Sequence, residues 1–506
     1  MKKTCLLLVV LLVCLNAWAQ QDFNILKYEA KSGLTIDNTQ ALQKAIDAAH
    51  KAGKGKVIVP KGQFVTGPIV LKSGVELHLL AGAELLGSTN RLDYGKQEAK
   101  ALISALDQQD ISITGKGIIN GRGREVVKDL IKLLHEGVFQ DETWVVKRPS
   151  EKNRPRLVAF SKCSNVLVKN ITLKNSAGWV QDFVGCNQIN IDSIVVESTE
   201  YWNNDGIDIV NSKEVRITNC TIDVADDGIC LKSEGEIVGI CENVFVENCV
   251  IRSSASGFKL GTGSHGGFRN IKVRNLTVYN TYRSAIALEA VDGGFIDQVD
   301  IENVTAKYTG NAIFIRLGHR NQTDQYSTVK NIRIAKVKAE IPNAKPDAGY
   351  PLEGPLPKVA PHNLVPASIT GIPGHLIEDV VLEDIDIAYG GGASKATAFI
   401  PLDKLDQVIE NEAGYPEFSM FGELPSWAFY VRHASGISFK NIKVRYEKPD
   451  FRPAMVFDDV KKLNILGLEV ASAESKPVIV MRKTTEHNIK QTKLPFNIKQ
   501  AILQLP

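Results

Sequence analysis

Short stretches in which apolar, mostly β-branched residues alternate with polar ones recur along the chain, and Asn or Asp residues border them. A period of two predicts strands that bury one face. The stretches follow one another at intervals of roughly twenty to thirty residues, which is typical of a solenoid whose coils each hold a few short strands. They lie at 165–171, 215–220, 243–249, 270–276, 298–304 and 331–334.

A second series of strands has a matching spacing. Two independent series with one period predict an all-β fold, a single-stranded right-handed parallel β-helix in which each strand pairs with its copy in the next coil. Residues 20–506 would form one such domain. The second series begins at Gly206, Gly228, Gly257, Ala285 and Ala312, which are 22, 29, 28 and 27 residues apart. The alternation then directs six side chains outward along one face, those of Asp208, Cys230, Lys232, Lys259, Glu289 and Arg316.

A solenoid has to cover the apolar interior of its first coil. The segment 37–39, Asp-Asn-Thr, is a helix-capping sequence, and an apolar stripe with helical spacing follows it as far as Gly53. We therefore predict an N-terminal capping helix. Three stretches interrupt the repeat and predict long loop insertions around the working face, at 121–155, 341–375 and 389–428.

The first nineteen residues have the pattern of a signal peptide. Lys2 and Lys3 precede an apolar run over 6–15, and Ala17-Trp18-Ala19 is a small-x-small cleavage signal. The run is too short to span a bilayer, and no later run reaches that length. We therefore expect export to the periplasm or the medium, without a membrane span.

Charge and cysteine content argue against several classes of function. The formal net charge of +3 includes two lysines of the signal segment, so we expect no nucleic-acid partner. The six later cysteines form no CxxC pair that would suggest zinc. Cys220 and Cys249 occupy equivalent places in two coils, which favours stacked apolar thiols, although one disulfide stays open. We expect a monomer.

Asn-x-Thr tripeptides recur, for example Asn170-Ile171-Thr172. In an exported protein they match glycosylation acceptors. At one fixed place in every coil, however, Asn bends the chain between strands and bonds its copies in the coils above and below. The recurrence therefore predicts an asparagine ladder and not sugar attachment.

Three aspartates mark the position just before two strands of the second series. Asp205 precedes Gly206, and Asp226 and Asp227 precede Gly228. A single Asp-Gly pair is ordinarily a turn, but the shared phase brings all three carboxylates onto neighbouring coils. Like charges at this range raise at least one pKa, and a carboxylic acid that keeps its proton can donate it to a leaving glycosidic oxygen. The other two acids can then orient and deprotonate water.

These motifs resemble the core motifs of glycoside hydrolase family 28, the polygalacturonases and their relatives. The matching segments are 203–206, Asn-Asn-Asp-Gly, and 226–233, Asp-Asp-Gly-Ile-Cys-Leu-Lys-Ser. The resemblance implies a secreted, inverting hydrolase of pectin-type polysaccharides that needs no metal or other cofactor. It also implies Asp226 as the general acid and Asp205 and Asp227 as the residues that activate water.

The sequence departs from the family at two motifs. Ser256 replaces the histidine of a Gly-His-Gly motif, and Ala287-Leu288-Glu289 replaces an Arg-x-Lys motif that grips the substrate carboxylate. Because Glu289 would repel a uronate, we expect a rhamnogalacturonan-type chain or its oligosaccharides, and the long insertions suggest exo action. On an open face Glu289 would form a weak surface ion pair with Lys259. Substrate contacts are expected from Asn204, Trp202, Ser256, Glu289 and the cations Lys232, Lys259, Arg283 and Arg316.

Two other functions fit a β-helix with a polar face. A calcium-dependent polysaccharide lyase would need a calcium-binding acid cluster and a base that abstracts the C5 proton. A non-catalytic carbohydrate-binding solenoid would keep the polar face and release no reducing ends. An unsaturated product identifies the first, and the absence of any product identifies the second.

Overall fold

The computed structural model describes residues 21–506 except 143, 145–147, 237, 347–364, 397–398 and 475. The predicted signal segment therefore lies outside the described residues. Within the described part, the strands form one sheet that winds through successive coils, and each strand pairs in parallel with its equivalents in the coils before and after it. The predicted parallel β-helix is confirmed.

The strands are numbered β1 to β33 along the chain. The N-terminal coils contain β1 Gln21–Asn24, β2 Gly33–Asp37, β3 Gly55–Val59, β4 Gly62–Thr66, β5 Ile69–Val70, β6 Val75–Leu79, β7 Ala83–Gly87, β8 Ile103–Leu106, β9 Gln109–Gly115 and β10 Ile118–Asn120. The middle coils contain β11 Val158–Ser161, β12 Ser164–Lys169, β13 Thr172–Lys174, β14 Gln181–Val184, β15 Asn187–Asp192, β16 Val195–Ser198, β17 Ile207–Val210, β18 Lys213–Thr218, β19 Thr221–Val224, β20 Ile229–Ser233, β21 Cys241–Ser253, β22 Phe258–Ser264, β23 Gly267–Ala290 and β24 Phe295–Leu317. The C-terminal coils contain β25 Thr328–Ile341, β26 Ala367–Thr370, β27 Ile377–Gly391, β28 Phe429–Lys448, β29 Met455–Lys461, β30 Asn464–Val470, β31 Ile479–Arg482, β32 Asn488–Lys493 and β33 Ile502–Leu505.

Helices are few and short. The α-helices are α1 Thr39–Lys51, α2 Gly123–His135 and α3 Ile498–Ala501, and 3₁₀ turns cover Ile25–Tyr28, Arg91–Tyr94, Glu151–Asn153 and Leu402–Gln407. Among the described residues, none of the helices has the length and apolar character needed to cross a bilayer. The α2 helix lies in the predicted 121–155 insertion and buries Val127, Leu130 and Leu134.

The register of the second strand series agrees with the predicted one. The buried residues of this series stack in register along successive coils. They are Ile207, Ile229, Phe258, Ile286 and Ile313. Because alternate residues of a strand face opposite sides, the residues that follow them form a second column on the outside of the coils. That column begins with Asp208, Cys230 and Lys259.

The asparagine ladder is also confirmed. Asn248 donates to Asn219 Oδ1 at 3.2 Å, Asn275 to Asn248 at 2.9 Å and Asn303 to Asn275 at 2.6 Å. All four residues have φ between 53° and 62°, a left-handed conformation that Asn tolerates better than most residues. The side chain thus turns the backbone and links neighbouring coils at the same time.

The α1 helix covers the first coil as predicted. Its inner side buries Ala41, Leu42, Ala45, Ile46 and Ala49. The Asp37 carboxylate accepts the Thr39 N–H at 2.9 Å, while the amide of Asn38 donates to the Ile36 carbonyl at 2.8 Å. The capping contribution at the start of the helix therefore comes from Asp37.

A second apolar cluster lies outside the coils. The segment 402–421, called the strap below, belongs to the predicted 389–428 insertion and crosses the outer face of the coils. It carries Leu405, Val408, Phe418, Met420 and Phe421 into one cluster with the outward residues Ala287, Phe314, Tyr430, Val456 and Val480. The expectation of an open polar face was wrong, because Lys259, Glu289 and Arg316 are each exposed by 2% or less.

The cysteines are stacked and not bonded. Cys163, Cys186, Cys220, Cys230, Cys241 and Cys249 are all free and buried. The Cys163 N–H donates to the Cys186 sulfur at 3.3 Å, in the next coil. Five of these thiols therefore fill the core as small side chains, whereas Cys230 lies in the outward column and contacts the Gly261 carbonyl. The disulfide left open by the sequence is not formed among the described residues.

Candidate active site

The three aspartates meet because their strands are adjacent in the sheet. Ile207 of β17 pairs with Ile229 of β20, and the Gly206 N–H donates to the Asp227 carbonyl at 2.9 Å. A Cβ atom on Gly206 would lie 2.6 Å from the Gly228 carbonyl oxygen. The glycine after the aspartate is thus required by the close approach of the two coils.

The aspartates open into a cavity of about 300 Å³. Four parts of the chain build its walls, namely the coils from just before β14 to β22, the 121–155 insertion, the loop between β24 and β25 and the strap. The lining residues are Glu151, Trp179, Asn203, Asp205, Asp226, Asp227, Lys232, Glu234, Lys259, Thr262, Gly263, Arg320 and Tyr415.

Asp226 and Asp227 have different partners although they are consecutive. Asp226 Oδ1 accepts the Asp227 N–H at 2.9 Å, and its Oδ2 lies 3.4 Å from the Asn203 amide nitrogen. Asp227 Oδ1 accepts the Ser256 N–H at 2.9 Å, and its Oδ2 accepts from the Lys259 ammonium at 3.0 Å. Asp227 is therefore ion-paired, while the donors that reach Asp226 from the described residues are neutral.

Asp205 is held by a second buried lysine. The Lys232 ammonium donates to Asp205 Oδ2 at 2.9 Å and also to Asp208. Its nitrogen lies 4.1 Å from the centre of the Trp179 ring, a distance at which the ring face attracts a cation. Burial lowers the pKa of Lys232, but Asp205 and Asp208 outweigh burial and raise that pKa well above its ordinary value.

The surroundings shift the pKa values of the neighbouring residues Asp226 and Asp227 in opposite directions. Burial, assisted by the charges of Asp205 and Asp227, raises the pKa of Asp226 to about 7. Burial acts in the same direction on Asp227, but Lys259 and the more distant Arg283 outweigh it and hold the pKa of Asp227 below its ordinary value. Near neutral pH this pair therefore offers one proton donor and one carboxylate.

The region that carries the cavity matches a known family. Residues 50–346 match the family model of the glycosyl hydrolases family 28. The chain belongs to glycosyl hydrolase family 28. This membership confirms the family and the enzyme class that the sequence motifs suggest.

Both exo- and endo-acting proteins are among the named relatives of this family 28 chain, the latter including the endo-polygalacturonase of Pectobacterium carotovorum subsp. carotovorum, which is 24% identical over 326 residues. The exo-poly-α-D-galacturonosidase of Dickeya chrysanthemi is 26% identical over 357 residues, which cover 61% of this chain and 59% of that protein. The chain thus spans less than two thirds of that relative's length. The hyperthermoactive exopolygalacturonase of Thermotoga maritima is similar in structure, with 25% identity, a TM-score of 0.57 and coverage of 73% of this chain and 88% of that one. The family 28 exopolygalacturonase of Yersinia enterocolitica, at 18% identity and a TM-score of 0.59 with coverage of 94% and 79%, shows the shared fold.

Three residues expected to contact substrate in this family 28 chain do not line the cavity. The Asn204 amide is satisfied inside its coil, where it donates to the carbonyls of Ser176 and Gly178 and accepts from the Ser198 hydroxyl. Arg316 lies beneath the strap, donating to main-chain carbonyls.

The third of these residues is Trp202. It is half-buried, its ring lies 5.7 Å from the Arg148 guanidinium, and its carbonyl accepts from Arg154 at 2.7 Å. Alternation predicts which side of a coil a residue faces, but it carries no information on the loops and hydrogen bonds that then cover that side.

Two other expected residues lie just behind the cavity wall. Ser256 is 2% exposed and contributes its main-chain N–H to Asp227. Glu289 lies 3.8 Å from Lys259 and accepts from the Thr262 hydroxyl at 3.3 Å. This pair is buried, so the expectation of a surface ion pair was wrong. Burial raises the pKa of Glu289 to about 7, against the opposing charge of Lys259.

Arg283 lies at the edge of the site. It is half-buried, and its Nη1 lies 3.5 Å from the Tyr415 hydroxyl. Among the described residues no carboxylate comes within ion-pair distance of it. Arg283 is therefore the cation beside the three aspartates whose charge is least neutralised.

Sequence reasoning missed several cavity residues. Asn203 orients the Asp226 carboxylate and is itself held by Arg154 at 2.7 Å, and Trp179 faces Lys232. Alternation could not have indicated Asn203, because its φ of 54° interrupts the extended chain before β17. Arg320, which forms a two-bond pair with Asp292, and Tyr415 come from irregular loops, for which no periodic signal exists.

One group of cavity side chains has the spacing of metal ligands. Oxygen atoms of Asp205 and Asp227 and the Cys230 sulfur lie within 4.8 Å of one another. Calcium prefers an all-oxygen shell, which a thiol does not provide. Both carboxylates already carry a lysine ammonium, so this donor set does not fit the calcium site that a lyase would need.

Proposed function

We propose that this family 28 chain is an exported, metal-independent hydrolase that cleaves glycosidic bonds of pectin-type chains with inversion. Asp226 donates a proton to the leaving oxygen, and Asp205 and Asp227 activate the attacking water. The proposal depends mainly on one observation: lysine ammonium groups pair with Asp205 and Asp227, whereas the donors that reach Asp226 from the described residues are neutral.

The role of Asp226 follows from its protonation. A general acid is most effective when its pKa lies near the working pH. The raised pKa of about 7 has a local cause, since Asp226 is enclosed beside two other acids. Its neutral partners, the Asp227 N–H and the Asn203 amide, leave the proton free to move to a bound substrate.

The role of the other two acids follows from their convergence. Asp205 and Asp227 direct oxygen atoms to within 4.8 Å of each other, so one water molecule can hydrogen-bond to both. Each of the two carboxylates is paired with one lysine ammonium, Asp205 with Lys232 and Asp227 with Lys259, and the charge of Lys259 holds the pKa of Asp227 below its ordinary value against the effect of burial. Inversion requires a water held in this way on the side of the sugar opposite the acid.

The substrate is proposed to be an oligosaccharide from a galacturonan or rhamnogalacturonan, cut from one end. The cavity is walled by Glu151 of one insertion and by Tyr415 of another, which favours a chain end over a long continuous polymer. Asp208, Asp205 and Asp227 neutralise the two lysines. A cavity with this charge balance supports a neutral sugar, such as rhamnose, on one side of the scissile bond.

The deciding experiment is a product analysis. The purified mature chain is incubated with rhamnogalacturonan and homogalacturonan oligosaccharides, and the products are followed by reducing-end release, chromatography and proton NMR. We expect stepwise loss of one terminal unit and an initial product with inverted anomeric configuration. Retained configuration overturns the mechanism, random internal cuts overturn the exo mode, and binding without cleavage supports the carbohydrate-binding alternative.

A further inference from the structure

The strap reaches the catalytic cavity through a single aromatic residue. Tyr415 lines the cavity, and its hydroxyl lies 3.4 Å from the Lys259 ammonium and 3.5 Å from Arg283 Nη1. Both cations also lie beside its ring, Lys259 at 5.6 Å and Arg283 at 5.4 Å from the ring centre. The strap lies beyond residue 346, where the match to the family model ends.

Two acidic side chains of the strap pair with the coils. The exposed Asp406 lies 3.6 Å from Arg482, and Glu410 makes the closer and more buried contacts. Glu410 Oε1 lies 2.5 Å from an Arg432 guanidinium nitrogen and 3.1 Å from His433 Nε2. The other ring nitrogen of His433 lies 2.7 Å from Asp459, so the imidazole, which belongs to β28, bridges the strap and β29. Both basic residues are less than a tenth exposed.

Main-chain carbonyls of the strap are held at the same point. Arg316 donates to the carbonyls of Glu410 and Asn411 at 3.0 and 3.2 Å, and Arg432 donates to the Val408 carbonyl at 2.8 Å. The His319 N–H donates to the Glu412 carbonyl at 2.8 Å. The backbone is thus fixed from Val408 to Glu412.

The segment held by these contacts, Val408 to Glu412, ends shortly before Tyr415. Asn411 has a φ of 48°, and its carbonyl accepts the Gly414 N–H at 3.1 Å in a tight turn. This turn connects the held segment to Tyr415 in the cavity wall. The direction in which Tyr415 enters the cavity is therefore set by the contacts of Glu410 and its neighbours.

From these contacts we infer that Glu410 is a positioning residue for the sugar site, and that Tyr415 is the specificity-determining residue it positions. Tyr415 offers a ring face and a hydroxyl to a bound sugar, and its hydroxyl lies beside Arg283, the cation that is free to meet an acidic sugar because Lys259 is already paired with Asp227. The inference rests on the proposed carbohydrate substrate for the role of Tyr415, whereas the attachment of the strap by Glu410 can be tested without any substrate.

The first experiment tests the attachment. Hydrogen exchange followed by mass spectrometry is compared for the wild type, Glu410→Gln and the matched control Glu412→Gln, whose side chain makes no ion pair or hydrogen bond within the described residues. We expect faster exchange over residues 408–416 in Glu410→Gln and wild-type exchange in the control. Equal exchange in all three proteins overturns the positioning role, whatever the protein's substrate is.

The second experiment tests the link to the sugar site. Binding of a galacturonate-containing oligosaccharide is measured by calorimetry in the Asp226→Asn background, so that no turnover interferes. Glu410→Gln and Tyr415→Ala should each weaken binding by about tenfold, and the double variant should be no weaker than Tyr415→Ala alone, because one residue acts through the other.

The outcomes separate this inference from the proposed function. Additive losses in the double variant, or wild-type affinity in Tyr415→Ala, overturn the specificity role. No binding of any pectin fragment by the Asp226→Asn protein contradicts the proposed substrate, and the exchange experiment then decides the attachment alone. Tyr415→Phe, which keeps the ring, should retain more affinity than Tyr415→Ala if the ring face contacts sugar.

Discussion

The Lys259 ammonium lies 3.0 Å from the Asp227 carboxylate and 3.8 Å from that of Glu289, within a region that is almost fully buried. Asp226, one residue earlier, forms no ion pair with the described residues. Because this lysine of the next coil pairs with Asp227 and not with Asp226, the two consecutive aspartates differ in their tendency to hold a proton. Such a pairing is possible because strand register in a β-helix brings residues about one coil apart in sequence into contact.

The first prediction concerns the dependence of activity on pH. If Asp226 must be protonated to act, kcat/KM should fall as the pH rises through about 7, the raised pKa of that residue. Asp227 must be ionised, and its pKa is lowered, so activity should persist well into the acidic range. Initial rates across this range, with a check that the protein stays folded, measure both limits. A rate that stays level through neutral pH contradicts the assignment.

The second prediction concerns the acid itself. Asp226→Asn keeps the shape of the side chain and removes the transferable proton, so kcat should fall by about 10² to 10⁴, the usual contribution of a general acid. Thermal stability should not fall, because an enclosed carboxyl group beside two acids is removed. Reducing-end release measures kcat, and exposed Asp324→Asn is the control. An Asp226→Asn protein with wild-type kcat refutes the role.

The fold could be predicted from the sequence because a solenoid repeats the same sequence patterns in successive coils. The strand series, the left-handed asparagines and the glycine that opens several strands of the second series, Gly206, Gly228 and Gly257, recur in successive coils, so each copy supports the interpretation of the others. The register that follows from them brings Asp205 next to Asp227 without further information. The positions of Lys232 and Lys259 beside these acids follow from the same register.

The sequence did not predict which segments of the chain cover the outer face of the coils. Arg316 and Lys259 both point outward by alternation, yet one lies beneath the strap and the other in the cavity wall, because residues far along the chain return to that face. Asn204 and Asn203 are adjacent, and only their hydrogen-bond partners decide which one reaches Asp226. Irregular loops have no repeating pattern, so the sequence did not indicate that Tyr415 and Arg320 line the cavity.

The third prediction concerns the buried pair of Lys259 and Asp227. Lys259→Met should reduce activity, because Asp227 loses the charge that keeps it ionised, and it should destabilise the protein by about 3 to 5 kcal/mol, since an unpaired carboxylate is left buried. Steady-state kinetics and thermal unfolding measure the two effects. Exposed Lys272→Met, on another face of the coils, is the control and should change neither. Unchanged stability in Lys259→Met would show that the pair is open to water.

The fourth prediction concerns the asparagine ladder. Asn248 has a φ of 54° and bonds both Asn219 and Asn275. Asn248→Ala should destabilise the coils by about 1 to 2 kcal/mol through left-handed backbone strain alone, with a further loss from the broken side-chain bonds. Asn248→Gly removes the same bonds without the strain, so its urea midpoint should lie between those of the wild type and the alanine variant. Equal midpoints for the two variants exclude a contribution from strain.

The last prediction separates hydrolysis from calcium-dependent elimination. Because Lys232 and Lys259 already neutralise Asp205 and Asp227, dialysis against a chelator should leave the rate of reducing-end release unchanged, and added calcium should not raise it. A lyase would lose its rate with chelator, regain it with calcium and form a product whose unsaturated ring absorbs in the ultraviolet. Recording absorbance and reducing ends in one reaction distinguishes the two chemistries. Chelator-sensitive growth of that absorbance would mean that the acids bind a cation in place of the lysines, and the proposed mechanism would fail.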